Sequence, residues 1–140
     1  MIQVKDVVKS FDGNVVLNHV SANFEDGKVN MIIGQSGSGK TVLMKSMIGL
    51  HQINEGEIIF DTSDGKQQNL AGMTEKEVRL LHREVGMLFQ GSALFDSMTV
   101  QENVMYPLEM FSDMSKDEMV ARARFCLERV NMPERAFGLM

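Results

Sequence analysis

The chain of 140 residues predicts an α/β fold: a strand–glycine-loop–helix core, an antiparallel β-subdomain before it, and the start of a helical subdomain after it. Three observations predict this. Gly34-Gln35-Ser36-Gly37-Ser38-Gly39-Lys40-Thr41 matches the phosphate-binding pattern G-x-x-x-x-G-K-[ST] at every fixed position. Strand-like segments separated by glycine turns precede it. Three Ser/Thr-x-x-Glu helix starts follow it.

The elements follow in order. Residues 1–11 alternate, with Ile2, Val4 and Val7 on one face of a strand, and Asp12-Gly13-Asn14 makes a turn. Val15 to Phe24 reads as a second strand through Val16, Leu17, Val20 and Phe24. Asp26-Gly27 is a hairpin-type turn into Val29-Asn30-Met31-Ile32-Ile33, a short and mostly apolar stretch expected to be a buried strand. Lys40 to Leu50 is expected to be helical, with Val42, Leu43, Ser46, Met47 and Leu50 at helical spacing. Asn54-Glu55-Gly56 turns into a strand at Glu57 to Phe60, and the polar run from Asp61 to Gln68 reads as a loop. Thr74-x-x-Glu77, Thr99-x-x-Glu102 and Ser115-x-x-Glu118 are capping boxes. Val85 to Phe89 reads as a buried strand ended by Gln90. The last helix carries Met119, Ala123, Cys126, Leu127 and Val130 along one stripe, and Met132-Pro133 ends it.

The glycine loop carries the chemistry. Nucleotide phosphates hold several negative charges and need many donors at short range. Glycines let the backbone curl so that its N–H groups point inward, and the first turn of the following helix adds unpaired N–H groups and a positive dipole end. Lys40 supplies a point charge to the β- and γ-phosphates, and the Thr41 hydroxyl is placed to ligate Mg²⁺. A plain Gly-Ser turn before a lysine would need neither the strand nor the helix that flank this one.

Composition narrows the rest. Hydrophobic residues make up 44% and charged residues 24%, ordinary for a globular domain of one unit or less. The net charge of −5 argues against a nucleic-acid partner. A single cysteine, Cys126, allows no internal disulfide and fits a reducing compartment, where it reads as a buried small hydrophobe. The N-terminus has no signal-peptide pattern, and no apolar run has the length of a membrane span. Thirteen methionines are scattered, which suits core filling better than metal binding. His19, His51 and His82 stand without a second ligand at metal spacing and read as structural or surface residues.

Taken together, four features resemble the ATP-binding cassette ATPases of ABC transporters. They are Phe11 in Lys9-Ser10-Phe11-Asp12-Gly13, the loop Gly34 to Thr41 with its internal serines, Gln90 at the end of Met87-Leu88-Phe89-Gln90, and the segment Leu94 to Val104. The resemblance implies an aromatic stack of Phe11 on adenine and a phosphate cradle made by Gly34, Gln35, Ser36, Gly37, Ser38, Gly39, Lys40, Thr41 and Val42. It further implies catalytic roles for Lys40 and Gln90, with Thr41 and Gln90 on Mg²⁺. The implied cofactors are ATP and Mg²⁺. The implied partners are a transmembrane permease subunit, near Leu94 to Leu108, and a second ATPase subunit in a dimer, with no nucleic acid. The implied location is the cytoplasmic face of the membrane, peripherally.

The resemblance runs along the whole chain but spans only the first part of such a domain. Residues 1–90 would be the β-subdomain with the phosphate-loop core, and 91–140 the start of the helical subdomain. Gly91 to Thr99 with Tyr106-Pro107-Leu108 is similar to the cassettes of bacterial phospholipid-trafficking, lipid-asymmetry (Mla-type) transporters. The family's Leu-Ser-Gly-Gly-type signature, its Walker B strand ending in Asp-Glu, and its switch histidine are not among these 140 residues. Ile58-Ile59-Phe60-Asp61 comes too soon after the loop and lacks the following Glu. Two readings follow. One is the ATP-binding subunit of an ABC transporter, hydrolysing MgATP when full length. The other is a nucleotide-binding fragment without catalysis. A small-molecule kinase would share the loop but would not explain the N-terminal strands, Phe11 or Gln90.

Overall fold

The computed structural model describes residues 1–62, 65–89, 91 and 93–139. The chain divides into two compact units, Met1–Met87 and Leu88–Met140.

The first unit is built on a four-stranded antiparallel sheet in the order β2-β1-β3-β4. The strands are β1 (Ile2–Phe11), β2 (Asn14–Phe24), β3 (Glu55–Asp61) and β4 (Gln67–Asn69). Asp12 and Gly13 join β1 to β2 with φ of 47° and 82°, the two positive values that a tight hairpin turn requires. Phe11 is therefore the last residue of β1, paired with Asn14 across the turn.

Two bulges set which side chains face inward. Between the pairs Val4–Ala22 and Val7–Val20 the register shifts, and Asp6 takes a left-handed φ of 51°. Such an extra residue lets Val4 and Val7, three apart, face the same side. On β2 the register shifts again between Val20 and Leu17, and His19 takes a φ of 49°. The two bulge residues meet, with His19 Nδ1 at 3.0 Å from Asp6 Oδ1. The resulting core holds Val4, Val7, Leu17, Ile58 and Phe60 from the sheet, with Leu43, Met47 and Leu81 from the helices.

Two helices complete this unit, α1 (Lys40–Met47) and α2 (Glu75–Glu84). The sequence extends α1 to Leu50, but Gly49 ends it with φ 75°. The Leu50 N–H then reaches back to the Lys45 carbonyl at 2.9 Å, a glycine-terminated helix end. Leu50 is accordingly exposed, while Leu43, Ser46 and Met47 are buried. The Ser46 hydroxyl is fully buried and has no hydrogen-bond partner among the described residues. We expect Ser46→Ala to raise stability by about 0.5–1 kcal/mol, since it removes an unsatisfied group and favours helix. A urea melt of the full-length protein checks this, and a loss beyond 1 kcal/mol would refute it.

Both expected buried strands of the core depart from the reading. Val29 to Ile33 is not a strand: Val29, Met31 and Ile33 are 95%, 78% and 82% exposed, and only Ile32 packs on the core. Val85 to Phe89 is not a strand either, and Leu88 is 95% exposed. The physical reason is common to both. A strand is held by a neighbour's ladder, and no described segment pairs with either stretch. Conversely, the polar loop expected from Asp61 to Gln68 is partly ordered: Gln67–Asn69 pairs with β3, and a 3₁₀ turn follows at Leu70–Gly72.

The second unit contains α3 (Val100–Phe111) and α4 (Lys116–Arg129), followed by a 3₁₀ turn at Glu134–Ala136. Its buried residues are Met105, Ala123, Leu127 and Phe137. The backbone N–H groups of Val100 and Gln101, at the start of α3, are satisfied by the carbonyls of Leu139 and Phe137. Cys126 is only half-buried, and α4 ends before Val130, which is 69% exposed.

All three capping boxes form at the starts of α2, α3 and α4. The backbone N–H groups of Thr74 and Thr99, and then their hydroxyls, hold the carboxyls of Glu77 and Glu102 below the ordinary range. At Glu118 the Ser115 hydroxyl does so first and its N–H second. A lowered carboxyl pKa stabilises above the unfolded value and stops doing so as pH falls through the folded value. The caps therefore hold at neutral pH and release only in acid.

Candidate functional site

The glycine loop lies between the exposed stretch 29–33 and α1. Gly37 and Gly39 take left-handed φ of 80° and 86°. At Gly39 the backbone is also tightly placed. A Cβ there would lie 3.0 Å from the Val16 carbonyl oxygen and 3.1 Å from the Leu17 side chain. The loop's end is thus packed on β2, which fixes where α1 begins. A Cβ at Gly34 would meet Ser38 Oγ at 2.8 Å, so the loop folds back over its own start. The Ser38 N–H donates to the Gln35 carbonyl at 3.2 Å and closes the turn.

Helix α1 starts at Gly39 with no side-chain cap and no acidic residue in its first turn. Its first-turn N–H groups and dipole are therefore free of the local anion that the other helices carry. Lys40 extends its ammonium back over the loop, donating to the carbonyls of Gly34 at 2.8 Å and Gln35 at 2.6 Å. Thr41 is exposed beside it, and Val42 is half-buried against the core. This geometry offers backbone donors, a helix N-terminus and one cation in one place, and it fits an oligophosphate. The donor that would face a metal, the Thr41 hydroxyl, is a hard oxygen of the kind Mg²⁺ takes together with phosphate oxygens. Among the described residues no group of three His, Cys, Asp or Glu side chains could hold a metal by itself. Gln90, expected on Mg²⁺ and in catalysis, lies outside the described residues.

Phe11 is 38% exposed at the hairpin tip. Lys9 Nζ sits 4.7 Å from its ring centroid. The His51 imidazole meets it at 5.3 Å and 78°, an edge-on aromatic contact. The other histidines are structural: His19 meets Asp6, and His82 Nε2 meets the Ile48 carbonyl at 2.6 Å. The His51–Phe11 contact was not legible in the sequence, because nothing local to either residue signals it. A cavity of about 580 Å³ is lined by His51, Ile53, Leu70, Met73, Glu75 and Arg79 among others, and no glycine-loop residue lines it.

In the second unit, Asn103 organises the segment before α3. Its amide donates to the carbonyls of Phe95, Met98 and Thr99 at 2.9, 3.1 and 3.1 Å, and its oxygen accepts from the Phe95 N–H at 2.8 Å. Phe95 packs edge-on against Tyr106 at 4.8 Å. No described helix is long and apolar enough to cross a membrane.

A strand-turn sheet leaning on a glycine loop and helix is the arrangement of an ATP-binding cassette. The family model described as "ABC transporter" matches residues 17–138, and the chain belongs to that family. Among solved structures, a dimeric post-hydrolysis state of the ATP-binding cassette MJ0796 bound to ADP and Pi superposes with a TM-score of 0.83 at 28% identity, covering 99% of this chain and 60% of that one. The phosphonates import ATP-binding protein PhnC of Fusobacterium nucleatum is 34% identical over 98% of this chain and 56% of its own length. The glutamine transport ATP-binding protein GlnQ of Escherichia coli is 38% identical over 97% and 54%. The methionine import ATP-binding protein MetN of Clostridioides difficile is 38% identical over 96% and 40%. The chain thus spans about half the length of the curated relatives it matches. Those relatives are named for phosphonates import, glutamine transport and methionine import, not for moving lipids.

Proposed function

We propose that this chain is the nucleotide-binding part of an ABC transporter ATPase that couples MgATP binding and hydrolysis to transport. The observation that carries the reading is the glycine loop, with Lys40 folded over it at the uncapped start of α1. In this role Gly34 to Val42 cradle the phosphates, Thr41 and Gln90 hold Mg²⁺, and Phe11 stacks on adenine. Phosphoryl transfer to water also needs the attacking water oriented and the γ-phosphate charge stabilised. Lys40 answers the second need. The working unit is a dimer of the complete protein, docked at the cytoplasmic face on a transmembrane permease through the Leu94 to Leu108 region. The test is steady-state phosphate release from MgATP by the complete protein with its permease. Nucleotide binding without turnover would favour the non-catalytic reading instead.

Gln90 is assigned to coupling. Gln90→Ala is expected to leave nucleotide affinity within about twofold while lowering transport per ATP hydrolysed at least about tenfold, as loss of a conformational signal does. Intact transport by the variant complex would remove that role.

Phospholipid is the cargo we favour, on the sequence of Gly91 to Thr99 and Tyr106-Pro107-Leu108. Vesicles reconstituted with the complete transporter decide it. Phospholipid-stimulated hydrolysis supports the reading, and stimulation by methionine, glutamine or a phosphonate replaces it.

A further inference from the structure

Helix α1 begins at the phosphate loop and ends in a segment that returns to the strand carrying Phe11. That segment is fastened to β1 at three points. The Asn54 N–H donates to the Val8 carbonyl at 2.8 Å, and Asn54 Oδ1 accepts from the Ser10 N–H at 2.8 Å and from the Ser10 hydroxyl at 3.3 Å. His51 stands at the head of the fastened segment and meets the Phe11 ring edge-on at 5.3 Å. Lys9, two residues before Phe11 on the same strand, places its ammonium 4.7 Å from the ring centroid. A phenyl ring at a hairpin tip would otherwise rotate about its side-chain bonds. Here a cation and a second ring restrict it.

We infer that His51 is a positioning residue for the nucleotide base. It acts through Phe11, holding the ring in the orientation in which a purine stacks, and it touches neither phosphate nor metal. The inference rests on the nucleotide reading above and deepens it. It also joins the two halves of the ligand, since α1 links the loop for the phosphates to the segment that holds the ring for the base.

The experiment separates base from phosphate. The complete protein is titrated by calorimetry with ATP and with inorganic tripolyphosphate, each with Mg²⁺. The variants are Phe11→Ala, His51→Ala and His51→Phe. An aromatic pair contributes enough that His51→Ala is expected to weaken ATP about two- to tenfold. Tripolyphosphate affinity should stay within error, and His51→Phe should restore ATP binding. His51→Asn serves where the alanine variant does not fold. A loss shared equally by ATP and tripolyphosphate would show a merely structural role and overturn the inference. So would unchanged ATP binding in His51→Ala beside a clear loss in Phe11→Ala, or a His51→Phe variant as weak as the alanine one. Unchanged ATP binding in Phe11→Ala would instead overturn the stacking role itself, and the positioning role with it. Failure of the unsubstituted protein to bind either ligand would remove the nucleotide reading on which both depend.

Discussion

Replacing Lys40 by alanine should cost the complete protein about a hundredfold in MgATP affinity and remove its steady-state hydrolysis. The residue supplies the one side-chain cation of the glycine loop, at the start of α1. A charge-assisted contact is worth about 1.5–3 kcal/mol, and this ammonium is expected to serve two phosphates, so a loss near the upper limit follows. The substitution should not unfold the protein, because among the described residues the Lys40 ammonium is bonded to the exposed carbonyls of Gly34 and Gln35, and Lys40 is not a member of the buried core cluster. Calorimetric titration beside a thermal melt checks both halves of the expectation. Binding within twofold of the unsubstituted protein would sink the assignment of Lys40 to the phosphates. A collapsed melt would show that the residue holds the fold instead. Lys40→Arg makes a stringent companion, since it keeps the charge but replaces a compact ammonium with a larger planar fork.

The second large effect concerns folding. Gly56 lies on β3 where β1 bulges, with φ of 90°. A Cβ there would stand 2.4 Å from the Asp6 carbonyl oxygen and 2.5 Å from that of Lys5. Both are backbone atoms inside a paired sheet and cannot swing aside. Gly56→Ala therefore combines the left-handed penalty of roughly 1–2 kcal/mol with an overpacking cost of roughly 1–3 kcal/mol. The sum of about 2–5 kcal/mol is a large share of what an ordinary domain possesses. Gly13→Ala is the internal control. Its φ of 82° carries the same backbone penalty, but among the described residues nothing beyond its own chain neighbours lies within 4 Å of the added carbon. Urea unfolding of the two variants should separate them by at least about 1 kcal/mol. Equal stabilities would show that the close approach at Gly56 costs nothing.

What the sequence made legible was local. Each capping box is written within four residues, and Thr74, Thr99 and Ser115 all cap as read. The turn at Asp12-Gly13 and the glycine loop are likewise backbone matters that neighbouring residues decide. The strands at 29–33 and 85–89 were misread because apolar residues say only that a segment would accept burial. Burial needs a partner strand, and none of the described residues supplies one. The short strand Gln67–Asn69 was missed for the opposite reason: it is polar throughout, and only its place beside β3 orders it. The bulges at Asp6 and His19 left no mark beyond the odd spacing of Val4 and Val7. In the candidate site, the loop was legible and the surroundings of Phe11 were not, since His51 reaches the ring only after the chain has returned past α1.

The contacts of Lys40 have a practical consequence. Its ammonium rests on two neutral carbonyl oxygens, which accept from it without cancelling its charge. The loop therefore keeps its attraction for any small oxyanion, not for nucleotide alone. Phosphate or sulfate in the buffer would compete for it and make the protein look like a poor binder. Affinities measured in a zwitterionic buffer with chloride would read tighter than those measured in phosphate, and that gap is itself a gauge of how open the loop is.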